Sequence, residues 1–344
     1  MDKDTVVAGG GAAGLNAALE LARRGLEPVL ISRNSRHTYR NALHHMISGG
    51  DLESLSIDLK EFLDGTPVEF VEEEIEGFDP EKKEVETAEQ SFSYENLVVA
   101  LGNQASSDIP GLDYTEDFYT GENARQAVES LEDAEKVAVV GAGRKGVQVA
   151  GELHKNGYDV TLVDSSTRPL PRESSEASKK LLEVFNEEDL SFRGGSTVRE
   201  LTGYGIEFED GSELEVDEVI WCGGLSCNEV VQRDFNCGDE GLEVNRGLSA
   251  TGFDGVFAAG GCSNLEDRSF GSAVKQGRHA AKNIAESSKL LEEYEPGELK
   301  LFSMGKYGVY IRNERCHISR ATGLLTRYQH RKYLLDLRRQ GFFL

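Results

Sequence analysis

Two stretches of this sequence decide its fold: residues 9–14, Gly9-Gly10-Gly11-Ala12-Ala13-Gly14, and residues 141–146, Gly141-Ala142-Gly143-Arg144-Lys145-Gly146. Each reads Gly-x-Gly-x-x-Gly, follows a short apolar run and precedes an amphipathic stretch that ends at a second apolar run. This order predicts a strand, a glycine turn, a helix and a second strand, twice. The predicted strands are 5–8, 28–32, 137–140 and 160–164, and the predicted helices are 15–25 and 147–157.

The glycines of such a turn have mechanical roles. The first permits the sharp bend, the second lets the backbone approach a pyrophosphate, and the third lets the helix pack closely on the strand. The helix then presents unpaired N–H groups and the positive end of its dipole to the phosphates. One such motif is weak evidence, but two in the correct context, starting 132 residues apart, predict two dinucleotide-binding Rossmann units.

The second strand of a Rossmann unit usually ends in an acid that binds the ribose hydroxyls of the adenosine. Asp164 occupies that position in the second unit, and it favours NADH by repelling a 2′-phosphate, although Arg168 lies near it in the sequence. In the first unit the corresponding residue is Ser32, followed by Arg33.

The remaining pattern predicts that the second unit interrupts the first. We expect an α/β fold with two Rossmann-like dinucleotide-binding domains, the second inserted into the first, and a short C-terminal tail. The expected domain ranges are 1–110 with 236–298, 111–235, and 299–344. Further helices are expected at 57–63, 122–131, 176–186 and 272–290, strands at 68–71, 83–87, 96–100, 219–222 and 255–259, and a hairpin at 206–216.

Composition indicates a soluble globular protein of two or three domains, with 344 residues of which 38% are hydrophobic and 28% charged. There is no apolar run long enough to span a bilayer and no signal-peptide pattern at the start, so a cytoplasmic location is expected. The net charge of −24 argues against nucleic acid as a partner. Such an acidic surface, with Arg preferred to Lys, also resembles proteins of salt-loving organisms.

The charge is unevenly distributed. Residues 299–344 carry ten Lys or Arg and two acids, which leaves a net charge of −32 on residues 1–298. Residues 322–344 read as a basic amphipathic helix that ends in Gly-Phe-Phe-Leu. One interpretation is binding to an anionic membrane from the cytoplasmic side; the other is packing against the acidic body or the partner in a homodimer.

The five cysteines are scattered without a Cys-x-x-Cys pair, so neither a disulfide framework nor a metal site is predicted. Adjacent His44 and His45 are given no catalytic role.

The whole chain resembles the two-dinucleotide-binding-domain flavoproteins, most closely the type II NADH dehydrogenase branch. Sulfide:quinone oxidoreductases and apoptosis-inducing-factor-like reductases are near relatives of that branch. The motifs that carry the resemblance, besides the two glycine turns, are RNSRHTYRNALH (33–44), LVVALG (97–102), VFAAGG (256–261), AVKQGRHAAKNI (273–284) and SMGKYGVYI (303–311).

The resemblance implies that the first unit holds FAD and the second NAD(P)H, and that a hydride passes from nicotinamide to flavin before electrons reach a small-molecule acceptor such as a quinone. Lys275 would stabilise the reduced flavin, unless it is an ordinary surface lysine. The implied cofactor-binding residues are Gly9, Gly11, Ala12, Ala13, Gly14, Ser32, Arg33, Ala100, Leu101, Gly102, Gly141, Gly143, Gly146, Asp164, Gly224, Gly260 and Gly261.

Departures from the family pattern keep other hypotheses open. Ser32 and Gly261 stand where the family has acids that contact the flavin nucleotide, Gln148 replaces a glutamate, and Gly271 and Lys275 replace the quinone-branch motif. One alternative is a nucleotide-binding sensor or scaffold with a degenerate flavin site. Another is a sulfide-oxidising quinone reductase, which would need thiol chemistry at Cys262 or Cys316.

Overall fold

The first sheet has seven strands with Asp2–Ala8 near its middle. The computed structural model describes residues 2–105, 108–265, 269–286, 291–297 and 299–341. Five strands of the sheet run parallel, and the remaining two form an antiparallel extension. In spatial order they are Glu69–Val71, Val29–Ile31, Asp2–Ala8, Ser91–Val99, Glu84–Thr87 and Ile75–Asp79, with Val256–Ala258 also pairing with Ser91–Val99.

The second sheet has five parallel strands and lies between the two halves of the first in sequence. Its strands are, in spatial order, Glu116–Asp117, Glu218–Trp221, Lys136–Val140, Asp159–Asp164 and Ser191–Gly194. An antiparallel sheet of Val198–Thr202, Gly205–Phe208 and Glu213–Glu215 adjoins it. Helices in this part of the chain are Gly121–Ser130, Arg144–Lys155 and Ser175–Glu188.

The chain returns to the first sheet after residue 221. Strand Leu225–Cys227 pairs with Asn103–Ala105, helix Glu229–Phe235 contributes Val231 and Phe235 to the core of the first sheet, and Val256–Ala258 then joins that sheet. The predicted insertion of one Rossmann-like domain into another is therefore confirmed. The other helices of the first domain are Ala12–Arg23, Leu59–Leu63 and Phe270–Glu286.

Two details differ from the sequence expectation, and a third lies outside the described residues. Ile57 lies in strand Ser56–Asp58, which pairs with Arg36–Thr38, so the predicted helix begins only at Leu59. Residues 40–48 form a 3₁₀ helix, Arg40–Ser48, that the sequence pattern did not indicate. Residues 287–290 of the predicted helix 272–290 lie outside the described residues.

The C-terminal segment is more than a tail. Strands Leu299–Met304, Tyr307–Arg312 and Arg315–Ser319 form a third sheet, and helix Arg320–Gly341 follows it. Met304 of this sheet contacts helix Arg144–Lys155 where Gly151 leaves room for it. Among the described residues, none of the helices combines the length and the apolarity that a membrane span requires. The terminal residues 342–344 lie outside the described part.

Candidate functional site: two glycine turns across one crevice

The first glycine turn has the geometry that a bound pyrophosphate requires. Gly9 has φ +112°, and its N–H donates to the Ile31 carbonyl at 2.8 Å. A Cβ on Gly14 would lie 1.8 Å from the Gly9 carbonyl oxygen, whereas a Cβ on Gly11 would meet no atom within 4 Å. The helix Ala12–Arg23 begins without a side-chain cap or an acid in its first turn, which is the arrangement that leaves first-turn amides for an anionic ligand.

The second turn repeats these contacts. Gly141 has φ +103°, and its N–H donates to the Val163 carbonyl at 2.8 Å. A Cβ on Gly146 would lie 1.7 Å from the Gly141 carbonyl oxygen, and the space at Gly143 is again open. Helix Arg144–Lys155 likewise begins without a side-chain cap or an acid in its first turn. Both turns therefore fit the pyrophosphate of a dinucleotide.

The two strand ends beside these turns differ in charge. Asp164 is half-buried, and its carboxylate accepts from the Ala142 N–H at 2.6 Å and from the Ser166 N–H at 2.7 Å. These bonds hold the carboxylate at the edge of the second turn, where a ribose would lie. Ser32 instead bonds to the Asn34 backbone, and the exposed Arg33 pairs with Glu74 at 3.3 Å.

Gly261, where the resemblance predicts an acid, lies against another part of the chain. A Cβ there would lie 2.7 Å from the Asn103 nitrogen and 2.9 Å from the Asn103 Cγ and the Gly102 carbonyl carbon. The space that an aspartate would need is therefore taken by Gly102 and Asn103. Asn103 is a half-buried amide at this position that sequence reasoning missed, although it directly follows the LVVALG motif. Gly260 has φ +73°, and its N–H donates to the buried Gln276 side chain at 2.7 Å.

Arg40 and Lys145 lie between the two turns, and the space beside these two cations is called the crevice below. Lys145 lies in the second turn, and its Nζ donates to the Arg40 carbonyl at 2.9 Å. The Arg40 side chain donates to the Tyr119 carbonyl, and its Nη1 would lie 3.8 Å from a Cβ on Gly102. Gly102 lies two residues after Ala100, whose carbonyl oxygen would lie 2.4 Å from a Cβ on Gly9 in the first turn. The first turn is thus linked to the second through a short series of contacts.

Burial lowers the pKa of Lys145 to about 8, with a further lowering from the positive charge of Arg40. Burial also lowers the pKa of Arg40. At neutral pH both side chains carry positive charge at the crevice. Neither residue is a candidate from the sequence pattern, although a cation in the first turn of a nucleotide-binding helix is a usable signal.

The other predicted site residues are not all brought together. Ala12, Ala13, Leu101 and Ala100 lie at the first turn or beside it, and the exposed Gly224 follows the Cys222–Gly223 backbone that contacts Gly141. Lys275 is exposed, and its Nζ lies against Gly297 in a surface groove that also contains Glu292, Glu293 and Glu295. The structure places Lys275 in that acidic groove and not among the residues that line the crevice.

The cysteines that the sulfide hypothesis requires are buried. Cys262 accepts from the Gly102 N–H at 3.1 Å and donates to the Gly102 carbonyl at 3.3 Å, and burial raises its pKa well above the usual range. Burial raises the pKa of Cys316 to about 11 and that of Cys222 to about 12. These thiols are protonated at neutral pH, whereas a nucleophilic cysteine must be a thiolate.

The C-terminal helix reaches the first unit through an aromatic cluster. The Tyr333 hydroxyl lies 3.0 Å from His37 Nε2 and 3.3 Å from Asn16 Nδ2, and its ring contacts Tyr39 and Phe270. His37 Nδ1 lies 2.9 Å from the Gly10 carbonyl, which can only accept. Burial lowers the pKa of His37 to about 4, so the ring is neutral and accepts from Tyr333.

Comparison with known proteins identifies the family. Residues 3–283 match the family model described as pyridine nucleotide-disulphide oxidoreductase. The chain is 26% identical over 328 residues to the type II NADH:quinone oxidoreductase of Staphylococcus saprophyticus, covering 82% of each chain. It is 26% identical over 341 residues to the enzyme of the same name from Staphylococcus aureus strain NCTC 8325, covering 85% of each.

Solved structures share the fold. The sulfide:quinone oxidoreductase of Aquifex aeolicus superposes with a TM-score of 0.85 at 18% identity, covering 98% of this chain and 92% of the other. NDH2 from Plasmodium falciparum in complex with NADH superposes with a TM-score of 0.83 at 14% identity, covering 99% and 97%. The chain belongs to the pyridine nucleotide-disulphide oxidoreductase family, and it is an NAD(P)H-dependent flavoprotein oxidoreductase, as the resemblance of its motifs predicted.

Proposed function

We propose that this protein is an NADH:quinone oxidoreductase of the type II kind that works on the surface of an anionic membrane. The observation that carries the proposal is the pair of open glycine turns linked by the cations Arg40 and Lys145, beside a Cys262 side chain that is fully buried. Such a site suits a transfer between two bound nucleotides. It does not suit chemistry that begins with a reactive cysteine.

With FAD and NADH bound, the cofactors themselves supply the hydride and electron transfer. The protein contributes binding and charge. The first-turn amides at Gly11 and Gly143 would hold the two pyrophosphates, and Asp164 would accept from the ribose hydroxyls and disfavour a 2′-phosphate. The fixed positive charges of Arg40 and Lys145 stabilise negative charge that develops in the crevice.

The C-terminal helix supports a membrane-associated acceptor. Its inner face is held by Tyr333, Leu334 and Leu337, which are packed against the first domain. Its outer face leaves Leu324, Tyr328 and Leu335 exposed by 70%, 63% and 52%, respectively. The exposed basic residues Arg327, Lys332, Arg338 and Arg339 accompany them. Apolar side chains framed by cations are typical of a helix that lies in the interface of an anionic membrane.

The expected docking of the tail on the acidic body also receives support. Lys300 pairs with Glu173 at 2.9 Å, and Lys306 pairs with Glu188. One side of the C-terminal segment therefore packs against the body, while the outer face of its helix remains available for a membrane.

The enzymatic part of the proposal is tested with purified protein, NADH and a short-chain quinone. We expect NADH oxidation that depends on the quinone, and a lower kcat/KM for NADPH than for NADH. Turnover that required sulfide, and that stopped when Cys262 and Cys316 were replaced by serine, would overturn the proposal in favour of sulfide oxidation.

The membrane part is tested by sedimentation with anionic vesicles. The double variant Leu324→Ser/Leu335→Ser should bind less than the wild type, whereas Leu299→Ser, which changes a leucine that is 50% exposed outside the helix, should bind equally well. Equal binding by all three proteins would contradict membrane docking through this face. A dimer that dissociates only in the double variant would instead assign the face to a second copy of the chain.

We also propose that the net charge of −24 adapts the protein to high salt. Repulsion among the acidic side chains should destabilise the fold at low ionic strength, because screening is then weakest. The unfolding temperature should rise strongly with KCl concentration, and a flat dependence would contradict this part of the proposal.

A further inference from the structure

A buried cluster of potential metal ligands lies where three parts of the chain meet. The 3₁₀ helix Arg40–Ser48 supplies His44 and His45, and helix Arg144–Lys155 supplies Glu152. His44 is fully buried, and the exposed fractions of the His45 and Glu152 side chains are 20% and 0%, respectively. One potential ligand atom from each residue lies within 4.8 Å of the other two.

A polar partner on one ring nitrogen fixes the orientation of His44, as is usual for histidines in metal sites. The hydroxyl of Ser303, on strand Leu299–Met304, lies 2.7 Å from His44 Nε2, and Ser303 is only 1% exposed. This contact fixes the ring so that Nδ1 points to the other side. In metal sites, the ring nitrogen that does not bind the ion is held in this way by a polar partner. The rings of His44 and His45 lie with their centroids 4.1 Å apart.

Glu152 gives the second, independent observation. Its Oε1 contacts Lys155 Nζ at 2.7 Å and the Ser48 hydroxyl, and it lies 3.6 Å from His45 Nδ1. Its Oε2 is buried and has no hydrogen-bond partner among the described residues. A carboxylate oxygen in such a position is costly unless a donor or a cation meets it. Because Lys155 and Ser48 already use Oε1, Oε2 is the oxygen left for a cation.

We propose that His44, His45 and Glu152 form a binding site for a divalent transition metal of the zinc class. Two imidazoles and one carboxylate are ligands that Zn²⁺ accepts, and three protein ligands leave a fourth position for water. Tetrahedral zinc needs ligand atoms ~3.3 Å apart, so side-chain shifts of about 1 Å close the cluster around the ion. The partly exposed His45 marks the entry side. The nearby Lys155 ammonium limits the affinity because it repels the ion.

The site would join the two nucleotide-binding domains and, through Ser303, the C-terminal sheet. A bound ion would therefore stabilise the arrangement of the three parts that surrounds the crevice. The sequence alone predicted no metal because the glutamate is far along the chain from the histidine pair.

The test is equilibrium dialysis of chelator-treated full-length protein against Zn²⁺, with the bound metal quantified. We expect one equivalent of zinc at the wild-type site. His45→Gln and Glu152→Gln should each weaken zinc binding more than ~10-fold. Ser303→Ala should weaken it by about 10- to 100-fold, because His44 then loses the partner that orients its ring. The matched control, His317→Gln, changes an exposed histidine of strand Arg315–Ser319 and should bind zinc like the wild type.

Thermal unfolding with and without Zn²⁺ gives a second readout. The unfolding temperature should rise with zinc for the wild type and for His317→Gln, and less for the site variants. The proposal would be overturned if the wild type bound no zinc. It would also be overturned if His45→Gln and Ser303→Ala bound zinc as tightly as the wild type. The cluster would then be an ion-paired hydrogen-bond network only. If Glu152→Gln does not fold, His45→Gln and Ser303→Ala decide the question.

Discussion

Replacing the second glycine of each turn by alanine tests which turn binds which nucleotide. Gly11 has φ −74° and Gly143 has φ −71°, which alanine adopts freely, and an added Cβ meets no atom within 4 Å at either position. The free energy of unfolding should therefore change by less than about 1 kcal/mol in Gly11→Ala and Gly143→Ala. The added methyl occupies the space through which a pyrophosphate approaches the backbone.

Overpacking of this kind costs ~1–3 kcal/mol, which corresponds to about 5- to 150-fold in affinity. Gly143→Ala should raise the KM for NADH by a factor in this range and leave the flavin absorbance per mole of protein unchanged. Gly11→Ala should lower the flavin content and leave the affinity of any flavin-loaded fraction for NADH unchanged.

Gly203→Ala is the matched control because its Cβ also meets no atom within 4 Å, in an exposed turn of the antiparallel sheet. It should behave as the wild type in both assays. Equal effects of Gly11→Ala and Gly143→Ala on both measurements, or no effect of either, would refute the assignment of one nucleotide to each turn.

Three further predictions follow from the contacts. Tyr333→Phe should lower the free energy of unfolding by ~1–2 kcal/mol because the hydroxyl that contacts His37 and Asn16 is lost, and an unchanged thermal midpoint would contradict this. His37 has its pKa lowered from 6.5 to about 4, so the unfolded state binds the proton more tightly. Its contribution to stability is present above pH 6.5 and is lost as pH falls toward 4, by at most about 3 kcal/mol. Denaturant unfolding at several pH values should show this loss in the wild type and less of it in His37→Gln. Asp164→Ala should reduce kcat/KM for NADH by ~10-fold or more and shrink the preference over NADPH, and an unchanged ratio would remove Asp164 from ribose binding.

Local signals made the two Rossmann units predictable from the sequence. A glycine turn specifies its own bend, and the helix and strands around it follow from apolar periodicity within about 30 residues. The observed strands Asp2–Ala8 and Lys136–Val140 and the helices after them match the expectation within a few residues. The insertion of the second unit was also predictable, because apolar strand patterns resumed after it.

The features that were missed depend on distant parts of the chain. The space at Gly261 is filled by Asn103, and no local pattern reports that contact. The position of Lys275 depends on which face of helix Phe270–Glu286 the body covers. Lys275 lies on an exposed face, beside acidic residues of the segment 291–297. Two strands of the C-terminal sheet carry the exposed Arg312 and Arg315, and such basic residues made the segment resemble a tail.

The most direct test of the central claim is the visible absorption spectrum of the purified protein, recorded without oxygen before and after NADH is added. We expect a flavin band, present as purified or after incubation with FAD, that bleaches when NADH is added and returns when a quinone follows. A protein that binds no flavin in excess FAD, or whose flavin band is unaffected by NADH, would contradict it.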